Sequence, residues 1–216
     1  MAIDVHQFRQ ILNSKVKGKA LSAAFPDLLI AREDILLPDE FCVVRQDTEE
    51  LQGHHSWGLP IYDTRKVFAG LGLELDVIDR EAIEGSERIV DLNIASDLGE
   101  FDLVIDPGTS EHCFNIAQVA INLANAVKVG GFISQAIPMS MFNHGYYNLN
   151  PKWFLDFYPQ NGFEIVDFGL RHSGGIYGPL LRDARYCGVS ENAVLTCLAK
   201  RKEIKPFIFP YDVTSA

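Results

Sequence analysis

Three aspartates, Asp79, Asp91 and Asp106, each close a short apolar run, and the third is followed by a Pro-Gly turn and the pair Glu111-His112. In an open α/β sheet, ligands bind beyond the carboxyl ends of the strands, so strand-ending residues are the first candidates for chemistry. An aspartate ending the second strand can accept both hydroxyls of a ribose, and Asp79 is placed for that; a solvated or helix-capping carboxylate is the plain structural reading. His112 and His144 are candidate general bases because imidazole titrates near neutral pH, although a histidine satisfied by its neighbours is the commoner case. With Glu111 they form the candidate catalytic set, and ligation of a divalent metal that orients two oxygens of a diol-type acceptor is an open alternative for the same three side chains. No residue is assigned as a metal ligand. His54-His55, in the stretch Gln-Gly-His-His-Ser-Trp, reads as exposed.

The elements that must carry these residues follow from periodicity. Asp4 with Gln7 has the form of a capping pair, and Val5, Phe8, Leu12 and Val16 continue at helical spacing until Gly18. Residues 19–39 are mixed, with a short second helix expected within Leu21–Arg32 and a stop at Pro38. Strands are expected at Phe41–Arg45, Glu74–Asp79, Arg88–Asp91, Phe101–Asp106, Gly131–Ala136, Phe163–Leu170 and Ala193–Lys200. The stretch from Asn115 to Val127 reads as a largely covered helix with Gln118, Asn122 and Asn125 as its one polar stripe. Asn150-Pro151 reads as the start of another helix, whose Trp153, Phe154 and Phe157 belong to the core. The long connection 171–192 is a candidate lid. The division expected is an N-terminal helical segment over 1–39, an α/β domain over 40–201 and a tail over 202–216.

The chain has 216 residues, of which 47% are hydrophobic, with a net charge of −10. That is enough apolar sequence for a packed domain without disulfide or metal staples. There is no apolar run long enough to span a bilayer and no signal-peptide layout at the N-terminus, so a cytoplasmic protein is expected. Cys42, Cys113, Cys187 and Cys197 form no Cys-x-x-Cys pair and read as unbridged thiols. Beyond Lys200-Arg201-Lys202 there is no basic cluster, which argues against nucleic acid as a partner. The partner expected is a small-molecule acceptor, with a homodimer left open.

The segment Phe101-Asp-Leu-Val-Ile-Asp106, followed by Glu111-His112, resembles the fourth-strand step of the class I S-adenosylmethionine-dependent methyltransferases. Asn125 to Gly131 is similar to their helix, lysine, Gly-Gly, fifth-strand step, and Asn161-Gly162-Phe163 to the entry of the sixth strand. Asp91-Leu92-Asn93, Asp106 to Asn115 and His144 to Tyr147 together resemble a bacterial subgroup of small methyltransferase-like proteins associated with surface-carbohydrate or secondary-metabolite pathways. The resemblance implies a Rossmann-like α/β fold with a mostly parallel seven-stranded sheet whose last strand is antiparallel. It also implies S-adenosylmethionine as cofactor, with Asp79 on the ribose, Asp91 and Leu92 flanking the adenine, and Asp106 and Gly108 beside the methionine. The activity implied is methyl transfer to an oxygen or nitrogen of a small molecule, for example a sugar. The family's first strand runs into a glycine-rich turn, whereas Phe41–Arg45 meets no glycine before Gly53; Arg45 is the candidate to pair with the methionine carboxylate instead. Two other readings stay open: a non-catalytic module of the same fold, and a Rossmann-type enzyme with another nucleotide, which the missing Gly-x-Gly-x-x-Gly disfavours.

Overall fold

The computed structural model describes residues 2–45, 60–172, 175–181 and 188–211. The chain opens with β1 (Ala2–Asp4) and α1 (Val5–Ser14). The Asp4 carboxylate accepts the His6 and Gln7 amides at 3.0 and 2.9 Å, which satisfies donors that the first helical turn leaves without partners. β2 (Gly18–Ala23) and β3 (Asp27–Leu29) follow, then two short 3-10 turns at Arg32–Asp34 and Asp39–Phe41. After α2 (Thr64–Gly70) come β4 (Leu73–Asp79), β5 (Arg88–Ile89) and β6 (Phe101–Asp106). The C-terminal half holds α3 (Ile116–Asn125), β7 (Val127–Pro138), α4 (Pro151–Gln160), β8 (Phe163–His172), β9 (Gly175–Tyr177) and β10 (Val194–Arg201).

The main sheet has the order β5-β4-β2-β6-β7-β10-β8-β9, and β1 pairs with β3 in a separate two-stranded ribbon. From β5 to β7 every pairing is parallel, while β10 runs antiparallel to both β7 and β8. This is the doubly wound sheet with an antiparallel last strand that the sequence leads one to expect, extended at its edge by the three residues of β9. Buried residues alternate along the central strands. Leu21, Val104 and Ile133 join Leu123, Phe154 and Phe157 in one layer, whereas Ala20, Leu103 and Ile105 join Phe8, Ile11 and Phe68 in the other. α3 and α4 therefore cover one face and α1 and α2 the other, which is why a parallel sheet reads as apolar runs.

Two expectations about the N-terminal part are corrected. Phe41–Arg45 is not a sheet strand: Phe41 ends a 3-10 turn, and only Val44 makes an isolated bridge, to Tyr62. The first strand of the sheet is Gly18–Ala23, with Leu21 and Ala23 wholly buried, so residues 1–39 are not a helical segment set before the domain; they supply the strand at its centre. The helix expected within Leu21–Arg32 is absent for the same reason. At the other end, Arg201 is buried, and its guanidinium donates to the carbonyls of Ala124, Asn125 and Val127 at 2.7–3.2 Å, closing the C-terminal end of α3. The middle residue of the one basic cluster is thus consumed inside the fold. No helix among the described residues is long and apolar enough to cross a membrane.

Candidate functional site

β4 and β6 lie on opposite sides of β2, so the winding of the sheet reverses there and a crevice opens beyond the carboxyl ends of the three strands. A cavity of about 410 Å³ fills it, lined by Ala24 and Phe25 after β2, Asp79 at the end of β4, Leu92 and Asn93 after β5, and Thr109 and His112 after β6. Ala24 takes a left-handed conformation (φ +69°), a region that favours glycine, and its amide donates to the Ile78 carbonyl at 2.7 Å. The turn after the true first strand is therefore glycine-free as well, but an alanine in glycine's conformation carries it.

One oxygen of Asp79 accepts the Arg80 amide, and among the described residues the other takes no hydrogen bond, which leaves it free for a ligand hydroxyl. Asp91 and Leu92 line the same cavity. The Asn93 amide and side chain both donate to Asp91 at 2.9 Å and hold its carboxyl below the usual range. Behind them Asn122 of α3, almost wholly buried, donates to the carbonyls of Leu92 and Ile94 and accepts the Ser96 amide and the Gln118 side chain. The polar stripe of α3 is thus the device that fixes this wall. The opposite rim is the 84–87 turn. Burial raises the carboxyl of Glu87, but the Glu84 and Ser86 amides it accepts at 2.7 and 2.9 Å outweigh that and hold it below its usual value. Arg45 reaches this rim from its own loop. It pairs with Glu84 at 2.7 Å, lies 3.7 Å from Asp27, and borders a separate hollow rather than the cavity.

Asp106 is fully buried and borders neither cavity. It accepts the amides of Thr109 and Ser110, the Ser110 hydroxyl and the Gln135 amide, and so shapes the turn that delivers Glu111 and His112. The segment 139–150 returns over this turn. The Tyr146 amide donates to the Glu111 carbonyl at 2.8 Å, and the Tyr147 hydroxyl to the Phe114 carbonyl at 2.6 Å. A Cβ at Gly145 would stand 2.8 Å from the Glu111 carbonyl oxygen, so only glycine lets the two segments close to this distance.

The result is a cluster. Nε2 of His144 lies 3.8 Å, and Nε2 of His112 4.0 Å, from the same Oε1 of Glu111, and the two imidazole rings meet edge-on at 4.9 Å. His112 borders the first cavity, while Glu111 and His144 border a second of about 440 Å³ together with Asp4, Gly108, Arg171 and Asn192. Burial, with the Asp106 carboxylate nearby, pushes Glu111 up to about 8, and burial beside His144 lowers His112. Burial also raises the Cys113 thiol to about 11, so it stays protonated and is no nucleophile.

Sequence reasoning thus brought together Asp79, Asp91 and Leu92 in one cavity, and Glu111, His112 and His144 in one cluster. Gly108 borders the second cavity rather than the first. Ala24, Phe25, Asp27 and Thr109 were missed because the first strand was sought at Phe41; the small, buried residues before Phe25-Pro26-Asp27 were the available signal. His54-His55 lies outside the described residues, as does part of the 171–192 connection.

This fold is that of the class I S-adenosylmethionine-dependent methyltransferases. The N-methyltransferase NodS from Bradyrhizobium japonicum WM9, in complex with S-adenosyl-L-homocysteine, superimposes with a TM-score of 0.50 at 12% identity, over 92% of this chain and 85% of that one. A S-adenosylmethionine-dependent methyltransferase from Clostridium acetobutylicum ATCC 824 gives 0.46 at 9% identity over 93% of both chains. TehB from Haemophilus influenzae gives 0.46 at 13% identity over 63% of this chain, which spans 52% of TehB. No family model and no curated protein sequence matches the chain.

Proposed function

We propose that the protein transfers the methyl group of S-adenosylmethionine to an oxygen or nitrogen of a small-molecule acceptor. The observation that carries this reading is the Glu111, His112 and His144 cluster, which spans two cavities at the point where the sheet reverses. The free oxygen of Asp79 and the apolar wall of Ile78, Val90 and Leu92 fit a nucleoside, with Asp91 at the adenine edge. The acidic lining of Asp27, Asp79, Glu84, Glu87 and Asp91 suits a cationic ligand. Arg45 would act on the methionine end through Glu84 and Asp27, and Asp106 and Gly108 through the turn they build.

S-adenosylmethionine supplies an activated methyl group, so the protein's task is to hold the acceptor in line and dispose of its proton. His112, its pKa lowered, is the neutral imidazole suited to accept that proton, with Glu111 and His144 fixing its surroundings. Asp4, Arg171 and Asn192 in the second cavity favour a polar acceptor such as a sugar. A cytoplasmic setting, no nucleic-acid substrate and self-association as a homodimer belong to the same reading. The non-catalytic alternative draws on Ala24-Phe25 where a glycine turn is usual.

The deciding experiment is calorimetric titration with S-adenosylmethionine and S-adenosylhomocysteine, beside Asp79→Ala. Binding that falls about 10- to 100-fold in the variant, the cost of losing charge-assisted hydrogen bonds, supports the reading. No heat and no thermal shift with either ligand rejects it in favour of the non-catalytic module.

A further inference from the structure

We infer that Glu111, His112 and His144 bind one first-row divalent metal ion, such as Mn²⁺, Co²⁺ or Zn²⁺, which holds an acceptor through two adjacent oxygens. One donor atom from each side chain lies within 4.8 Å of the others, and both imidazole Nε2 atoms face Oε1 of Glu111 at 3.8 and 4.0 Å. Two donors bound to a common ion at ~2.1 Å stand roughly 3.0–4.2 Å apart, so these separations admit an ion with little movement.

A second observation is independent of that spacing. Glu111 is 1% exposed, and its Oε2 has no hydrogen-bond partner. A buried carboxylate without partners is costly, and a cation removes the cost. The surroundings are built to keep the group there. A Cβ at Gly108, which is in the left-handed region (φ +95°), would come within 3.1 Å of Oε1, and Gly145 and the Tyr146 amide lock the His144 segment onto the Glu111 backbone.

Two imidazoles and one carboxylate select first-row transition ions and zinc over Mg²⁺ or Ca²⁺, which prefer all-oxygen shells. Three protein ligands leave positions open, and Glu111 and His144 border the 440 Å³ cavity, so an acceptor there can supply two oxygens to the same ion. The ion would then lower the pKa of the acceptor hydroxyl, whose proton passes to solvent, and the imidazoles would serve as ligands rather than bases. The acceptor half of this inference rests on the methyl-transfer reading; the ion-binding half does not.

The test uses tag-free, EDTA-stripped full-length protein titrated with Co²⁺, followed by calorimetry and by the visible absorption of the ion, with no cofactor present. One equivalent is expected. Glu111→Gln and His144→Ala should each weaken binding by more than the ~10–100-fold typical of losing an outer-shell partner. Asp79→Ala should leave it unchanged, which separates failure of the ion site from failure of the cofactor reading. The His144 side chain is 48% exposed, so His144→Ala should fold even if Glu111→Gln does not, and thermal unfolding of the metal-free proteins checks both. Absence of stoichiometric Co²⁺ binding, or binding undiminished in His144→Ala, overturns the proposal. With Co²⁺ and S-adenosylhomocysteine bound, catechol but not phenol should shift the absorption band; no shift with catechol overturns the two-oxygen acceptor.

Discussion

Asp106 is fully buried and accepts four hydrogen bonds, so what it does is set by the donors around it rather than by its charge. Asp106→Ala strands the Thr109 amide and the Gln135 side chain and should cost about 2–4 kcal/mol in urea unfolding. Asp106→Asn, which keeps the shape but offers a donor where acceptors are needed, should lie between the two. In the sequence Asp106 is indistinguishable from Asp79, since both end apolar strands in the same way. Burial separates them: β6 lies inside the sheet and its last side chain turns toward Gln135, while the Asp79 carboxylate keeps one oxygen open to the cavity.

The segments lining the first cavity are held by elements that never touch it. Asn122 is the clearest case, because its one side chain serves three backbone groups of the 92–96 turn. Asn122→Ala should cost about 1–3 kcal/mol and weaken S-adenosylhomocysteine binding by loosening Leu92, whereas a purely structural role would lower stability alone; calorimetry beside urea unfolding distinguishes the two. Glu87 does the same for the opposite rim. Its folded pKa is depressed, so its contribution to stability is present above the ordinary value of 4.5 and is lost as the pH falls through that value toward the folded one. The stability gap between the wild type and Glu87→Gln, measured by urea unfolding, should accordingly be full at pH 7 and shrink as the solution is acidified below that point.

For the molecule as a whole, the two apolar layers and the acidic surface govern different properties. Phe154 is wholly buried among Trp153, Tyr158 and Phe168, and Phe154→Ala should cost about 3–5 kcal/mol of stability, read from the urea midpoint. Below its melting temperature that variant should still bind cofactor, because α4 lines neither cavity. The net charge of −10 and the carboxylates around the first cavity create a field that favours a sulfonium over a neutral thioether. Raising the salt from about 0.05 to 0.5 M should therefore weaken S-adenosylmethionine several-fold more than S-adenosylhomocysteine, since screening acts on the charge that only the first carries. Equal salt dependence would mean that the acidic lining does not read the ligand's charge.

Much of this was legible locally. The capped first helix, the apolar strands ending in aspartate and the polar stripe of α3 are short-range patterns, because helix caps, alternation and turns depend on neighbours a few residues away. From them the sequence by itself determined a doubly wound sheet with Asp79 and Leu92 at its mouth. Two things were decided only by the tertiary structure. Gly18-Lys-Ala-Leu-Ser-Ala23 has no β-branched residue and no marked alternation, and it is a strand because β4 and β6 flank it and bury both of its faces. Glu111, His112 and His144 could be grouped by residue type, but their contact depends on the Asp106 turn, the return of 139–150 and the bare backbone of Gly145. Such long-range packing leaves no periodic trace in the chain, and it alone converts three separate side chains into one site.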